Sequence, residues 1–226
     1  MEPKILISLV SVALGWLLAQ GTTLARDWWN ARKLRLGLET ELEDIKAQLD
    51  RVLLIHQRHL QVFALKGMEP SSSLPLQNLF FKQYYKEAFS HLNREQRISY
   101  QLIHAQLDHL NTLTAHLTEH YSAFFKEHKT SPDDKKTLVA VELWGEYVTS
   151  IYKTAKIVKW HIDYHLTKRD NPKFDLMGPM HESYVRFEQD IDDEVKKVLD
   201  GAKGLKRSEF DKIYDPTHFA SAKSAG

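Results

Sequence analysis

Residues 5–29 read ILISLVSVALGWLLAQGTTLARDWW, and from Ile5 to Ala25 no side chain is charged. A helix of that length spans about 31 Å at 1.5 Å per residue, close to the roughly 30 Å hydrocarbon core of a bilayer. Trp28 and Trp29 follow where amphipathic rings favour the headgroup level. Arg26, Arg32, Lys33 and Arg35 lie beyond the apolar run with only Asp27 to offset them, whereas Lys4 before it is countered by Glu2. That asymmetry predicts a single retained transmembrane helix over residues 1–27, with the N-terminus outside and the C-terminal side in the cytoplasm, at the plasma (inner) membrane. Two other fates compete: a cleaved export signal ending at Ala19-Gln20-Gly21, which releases a helical protein, and a buried core helix. The weakly positive start and the downstream basic group favour the anchor. Ser11, Gly15 and Ala19 recur every four residues and form a candidate helix–helix contact face.

The next segment, residues 28–66, carries apolar side chains in a 4-3 rhythm at Leu38, Leu42, Ile45, Leu49 and Val52, which continues through His56, His59 and Phe63. This is the seam of a coiled coil or of a long bundle helix. Only Gly37 offers a stop before Lys66, so apolar run and seam form one long helix in this reading. Two histidines weaken a dimeric zipper, which favours a bundle helix packed on its own chain over a parallel coiled-coil dimer.

Residues 67–204 read as the rest of a helical bundle. GMEPSSSLP (67–75) is a loop. The aromatic run from Phe80 to Phe89 opens a second helical region, and Asn93 with Gln96 resembles a capping box that breaks it. SPDDKK (131–136) starts the next helix with Ser131 as cap and Pro132 at its first position, and KRDNPKF ends it. Gly178-Pro179 starts a last helix, DGAKG stops it, and residues 205–226 read as a flexible tail. The fold expected is all-α: one transmembrane helix continuing into a cytoplasmic bundle of about four helices.

Composition limits function more than it assigns it. The chain has 31 basic and 30 acidic residues, so no global field points to nucleic acid. Cysteine is absent, which removes disulfides, thiolate metal sites and a cysteine nucleophile. There is no phosphate loop, dinucleotide turn, nucleophile elbow or HExxH, and no cofactor or small-molecule substrate is implied. Histidine is frequent, at 12. His116/His120 and His161/His165 are i,i+4 pairs on two helices, a spacing a zinc or copper ion uses if both pairs face each other at one height. Histidines on helices also line apolar faces without any metal. The expectation is therefore a non-enzymatic membrane-anchored scaffold, sensor or assembly protein acting through homo-oligomeric or protein–protein contacts. A helical metal-binding protein is the alternative.

Overall fold

The computed structural model describes residues 3–70, 73–130, 133–175 and 177–205, with the side chains of residues 3–10 and 130 outside the description. Its first helix, α1 (Pro3–Ala64), runs without a break for 62 residues through Gly15, Gly21 and Gly37. Gly37 is needed there for a different reason. The Phe80 ring of helix α2 (Leu79–Ala88) lies where a Cβ at Gly37 would sit, so the missing side chain makes room for an aromatic knob. The helix closes on a paired C-terminal motif: Gly67 N–H donates to the Val62 carbonyl (3.0 Å) and Lys66 N–H to Phe63 (2.8 Å), with Lys66 left-handed at φ 58°.

A reciprocal capping box decides where the aromatic region breaks. Asn93 Oδ1 accepts from Gln96 N–H at 2.8 Å, and Gln96 Oε1 accepts from Asn93 N–H at 3.0 Å. A short 3-10 turn, Phe89–His91, therefore separates α2 from α3 (Arg94–Thr130). Helix α4 (Asp134–Lys168) is capped by Asp133, whose carboxylate accepts from the N–H groups of Lys135 and Lys136. The expected cap, Ser131 with Pro132, lies outside the described residues. Helix α5 (Pro179–Ala202) begins with its proline in the first turn, after Gly178. The expected tail falls outside the described residues except for Leu205.

The seam of α1 turns inward. Leu38, Leu42, Ile45, Leu49, His56 and Leu60 are fully buried, and Val52 and His59 nearly so. They meet α4, which runs antiparallel: Arg35 reaches Asp170, Lys46 reaches Asp163, Asp50 reaches Lys159 and Lys66 reaches Glu142. Trp144 closes the far end beneath His59, with ring centres 5.4 Å apart. Gly145 beside it admits the Phe63 ring in the same way as Gly37 admits Phe80. Helix α3 pairs antiparallel with α4, through His165–Ser99 at one end and His120–Ala140 towards the other. Helix α5 covers the remaining side of α1 and α4, with Glu194 accepting from Tyr152 and Lys156. Glu41 of α1 docks α2 by accepting from the Phe80 and Phe81 N–H groups at 2.6 and 2.9 Å. Burial raises the Glu41 carboxyl above its ordinary value, while those two donors pull it down.

The molecule is thus an all-α bundle of five helices among the described residues, and it corrects the expected architecture. No helix among these residues is long and apolar enough to cross a membrane. From Ser11 onward the apolar run is interrupted at Gln20, Gly21, Thr22 and Thr23 and ends at Arg26 and Asp27. The earlier part of the expected span, residues 5–10, lies outside the described side chains. The single-pass anchor falls with this, and so do the integral membrane partner and the inner-membrane placement. The capping box at Asn93 divides the aromatic region into α2 and α3, as its sequence suggested, and brings the described helices to five.

Trp144→Ala removes the largest fully buried side chain and is expected to cost about 3–5 kcal/mol. Leu17→Ala, on the exposed part of α1, is expected to stay within about 0.5 kcal/mol. Thermal unfolding of both variants followed by circular dichroism checks the contrast.

Candidate interaction surface

Because α1 is longer than any neighbour, its first half leaves the bundle. Every residue from 11 to 30 is exposed. These include Val12, Leu14, Trp16, Leu17, Leu18, Leu24, Trp28 and Trp29, the leucines among them between 55% and 70% exposed. Nothing lies within 4 Å of where a Cβ would stand on Gly15 or Gly21. Thr22 and Thr23 satisfy their hydroxyls locally by donating to the Ala19 carbonyl at 2.9 and 3.0 Å. This arm carries the proposed contact residues Ser11, Gly15 and Ala19 on its surface, away from the bundle. Leu38, Leu42, Ile45, Leu49 and Val52, the other proposed contact residues, are consumed inside the chain's own core.

The tryptophans and basic residues mark the place where arm meets bundle. Trp28 and Trp29 are tilted neighbours 6.2 Å apart, and the Arg32 guanidinium lies over Trp28 at 5.6 Å. Arg35 pairs with Asp170 at 2.9 Å, where α4 has just ended. Arg169 reaches Glu39 at 3.3 Å and Glu43 at 3.9 Å. Arg26 and Lys33 are exposed. A groove between Trp28, Arg32, His91 and Arg169 lies at this junction, but Glu39 and Asp170 line it as well, so its charge is mixed.

The histidine pairs separate. His120 Nε2–H donates to the Ala140 carbonyl at 2.9 Å, and His116 lies near Tyr147. His165 bonds Ser99 Oγ at 2.7 Å, while His161 sits among Trp160, Phe174 and Tyr184. Ala140 and His161 are about 31 Å apart along α4 at 1.5 Å per residue, so the two pairs do not meet. No group of three or more histidines, aspartates or glutamates among the described residues is arranged to hold a metal ion. The metal site at these pairs is corrected on that ground. What the spacing did mark is a face of α4 that buries His161 and His165.

Histidine instead serves as core filling. His56, His59, His104, His161 and His165 are all buried. His56 Nδ1–H donates to the Val52 carbonyl at 2.9 Å, its ring packs edge-on against His59, and His104 stacks on Phe81. Burial pushes His56, His161 and His165 down to about 4 and His59 and His104 down to about 3. All five are therefore neutral at pH 7 and suited to apolar contact. Sequence reasoning did not find one further feature, an open cleft of about 540 Å³ where the ends of α3 and α4 splay, floored by Phe124, Val139 and Leu143.

Comparison with known proteins adds no relative: no family model, no curated protein and no solved structure matches this chain.

The neutral histidines make stability depend on pH with a definite sign. The unfolded chain takes up protons near pH 6.5, while the folded chain resists them until about pH 4 or 3. The stabilisation is complete above pH 6.5 and is lost as pH falls, by up to about 1.4 kcal/mol per pH unit for each residue. The thermal midpoint is expected to be flat from pH 8 to 7 and to drop between 6.5 and 5. His161→Phe is expected to reduce that slope by about one proton, which a pH series of melts measures.

Proposed function

We propose that this chain is a non-catalytic contact module: the bundle fixes helix α1, and the arm from Ser11 to Ala31 engages the helices of a protein partner. One observation carries this, the exposure of every residue from 11 to 30 in a helix that is apolar on most of its circumference. Isolated surface leucines need no explanation, but a contiguous apolar segment of this length marks an interaction site. A helix apolar on most sides reaches a stable state in water only when other surfaces cover it. Two tryptophans and an arginine stacked on one of them, types enriched in binding hot spots, stand at its base. Contact rather than chemistry is supported by the lack of any catalytic signature in the sequence. It is supported too by the way the buried histidines are spent on ring packing and helix carbonyls.

Photo-crosslinking amino acids placed singly at Leu14, Leu17 and Trp28, and at Lys126 and Glu182 on the bundle surface, test the assignment in cells. Adducts are expected to concentrate at the arm positions. Adducts at the bundle positions with a silent arm overturn it.

A further inference from the structure

We infer that the open cleft between the ends of α3 and α4 is the docking site of this chain's own C-terminal segment, with Phe210, Ile213 and Tyr214 seated on its apolar floor. This occupancy is independent of the arm's contact role, since arm and cleft stand at opposite ends of the bundle. The basis is the place where the described chain ends. Helix α5 runs antiparallel to α4: Tyr184 and Phe187 lie beside Trp160, and Asp192 pairs with Lys153. The same count carried along both helices sets Lys203 level with about Glu142. Side chains agree, because Lys203 shares a surface hollow with Lys66, and Lys66 pairs with Glu142 at 2.6 Å. The α4 wall of the cleft spans Lys135 to Leu143. The described chain therefore stops at Leu205 level with the cleft, and residues 206–226 follow it.

What separates the two is the outer side of α4. Leu138 stands about five helical turns before Lys156 and so faces the same side. Lys156 meets Glu194 of α5 there, but α5 has ended at the level of Leu138, which is left 57% exposed. At about 100° per residue, Val139 and then Leu143 follow Leu138 around α4 towards Ala140, which faces His120 of α3. Both are exposed as well. An apolar path thus leads from the end of α5 round α4 into the cleft. It covers about 10–20 Å, one to two helix diameters. The eight residues from Lys206 to Ile213 reach about 26 Å when extended.

The segment matches the cleft in pattern and in charge. Phe210, Ile213 and Tyr214 stand at i, i+3 and i+4, a spacing that brings three apolar side chains to one surface. Phe124, Val139 and Leu143 supply that surface. Glu209, Asp211 and Asp215 accompany them against Lys212 alone. On the rim of the cleft Asp133 caps α4, and Glu127 pairs with Lys136 at 2.7 Å. Lys135 is left without a carboxylate partner among the described residues, and an acidic segment complements it. Tethering favours the chain's own segment over one from another molecule. A connection of a few residues gives an effective concentration of about millimolar, so a weak contact is enough to fill the cleft.

The chain has no cysteine, so disulfides introduced in pairs map the segment in the full-length protein. Val139→Cys with Ile213→Cys is expected to close within one chain under mild oxidation. Closure is expected to be at least about tenfold faster than for Lys197→Cys with Ile213→Cys, whose exposed α5 position lies equally within reach. Non-reducing gels and the mass of the oxidised product read both. In amide spectra, Ile213→Asp is expected to shift the signals of Phe124, Val139 and Leu143 and to leave those of Leu49 and Ile103 in place. Equal closure rates for the two pairs overturn the proposal, and so do unshifted cleft signals. A disulfide that forms only between chains places the segment on a second copy and overturns it too. None of these substitutions touches the arm, so failure here leaves the arm's contact role standing.

Discussion

Helix α1 has 62 residues and α4, its antiparallel neighbour, has 35, and the rest of the molecule follows from that mismatch. Where the two overlap, the seam from Leu38 to Phe63 builds a core with Val148, Ile151, Ala155, Val158 and Ile162, and α2, α3 and α5 close around it. Where α4 stops, no further helix among the described residues lies alongside, and about 30 Å of α1 is exposed. The ion pairs between α1 and α4 are mostly half exposed and add little to stability individually. They hold the register: Arg35 with Asp170 at one end and Lys66 with Glu142 at the other place the overlap and therefore the point where the arm begins.

Five neutral histidines in the core are consistent with how such a bundle is packed. An imidazole is flat and small enough to lie against a ring, as His104 does on Phe81, or edge to face, as His56 does on His59. For two of the five a ring nitrogen meets a helix carbonyl or a hydroxyl, Val52 for His56 and Ser99 for His165. The cost is that each ring must stay uncharged, which ties the core to near-neutral or higher pH. The same property that lets histidine fill an apolar layer makes it a poor marker of function in a sequence, since an i,i+4 pair reads alike whether it faces an ion or a tyrosine.

The helical character, the loop at 67–70 and 73–75, the seam and the capping box at Asn93 were legible because each is a local pattern with a local cause. The seam histidines were legible as seam positions, and the bundle accepts them as neutral core residues. Less legible was everything set by distance along the bundle. His116/His120 and His161/His165 share a spacing but sit towards opposite ends of the α3–α4 hairpin, and spacing within a helix carries no information on height between helices. The apolar run at the start also misled. Its length and flanks suggested a membrane span, yet from Ser11 onward the run carries Gln20 through Thr23 and ends at Arg26 and Asp27, and no helix among the described residues is long and apolar enough to cross a membrane. The cleft between α3 and α4 gave almost no signal, because a splayed helix pair still shows amphipathic periodicity.

Continuity of α1 matters as much as its apolar surface. A contact segment tethered by a loop is free to rotate, and its recognition face carries no fixed relation to the domain behind it. Here neither Gly21 nor Gly37 breaks the helix, and no proline interrupts it between Pro3 and Ala64. Each residue turns the helix by about 100°, so the direction of Leu17 and Leu24 is set by the direction of Leu38 and Leu42. Inserting one residue near Arg35 turns the arm's stripe through that angle while leaving its composition untouched. Binding through the arm is then a property of the whole bundle: the core that buries Leu38 also aims Leu17.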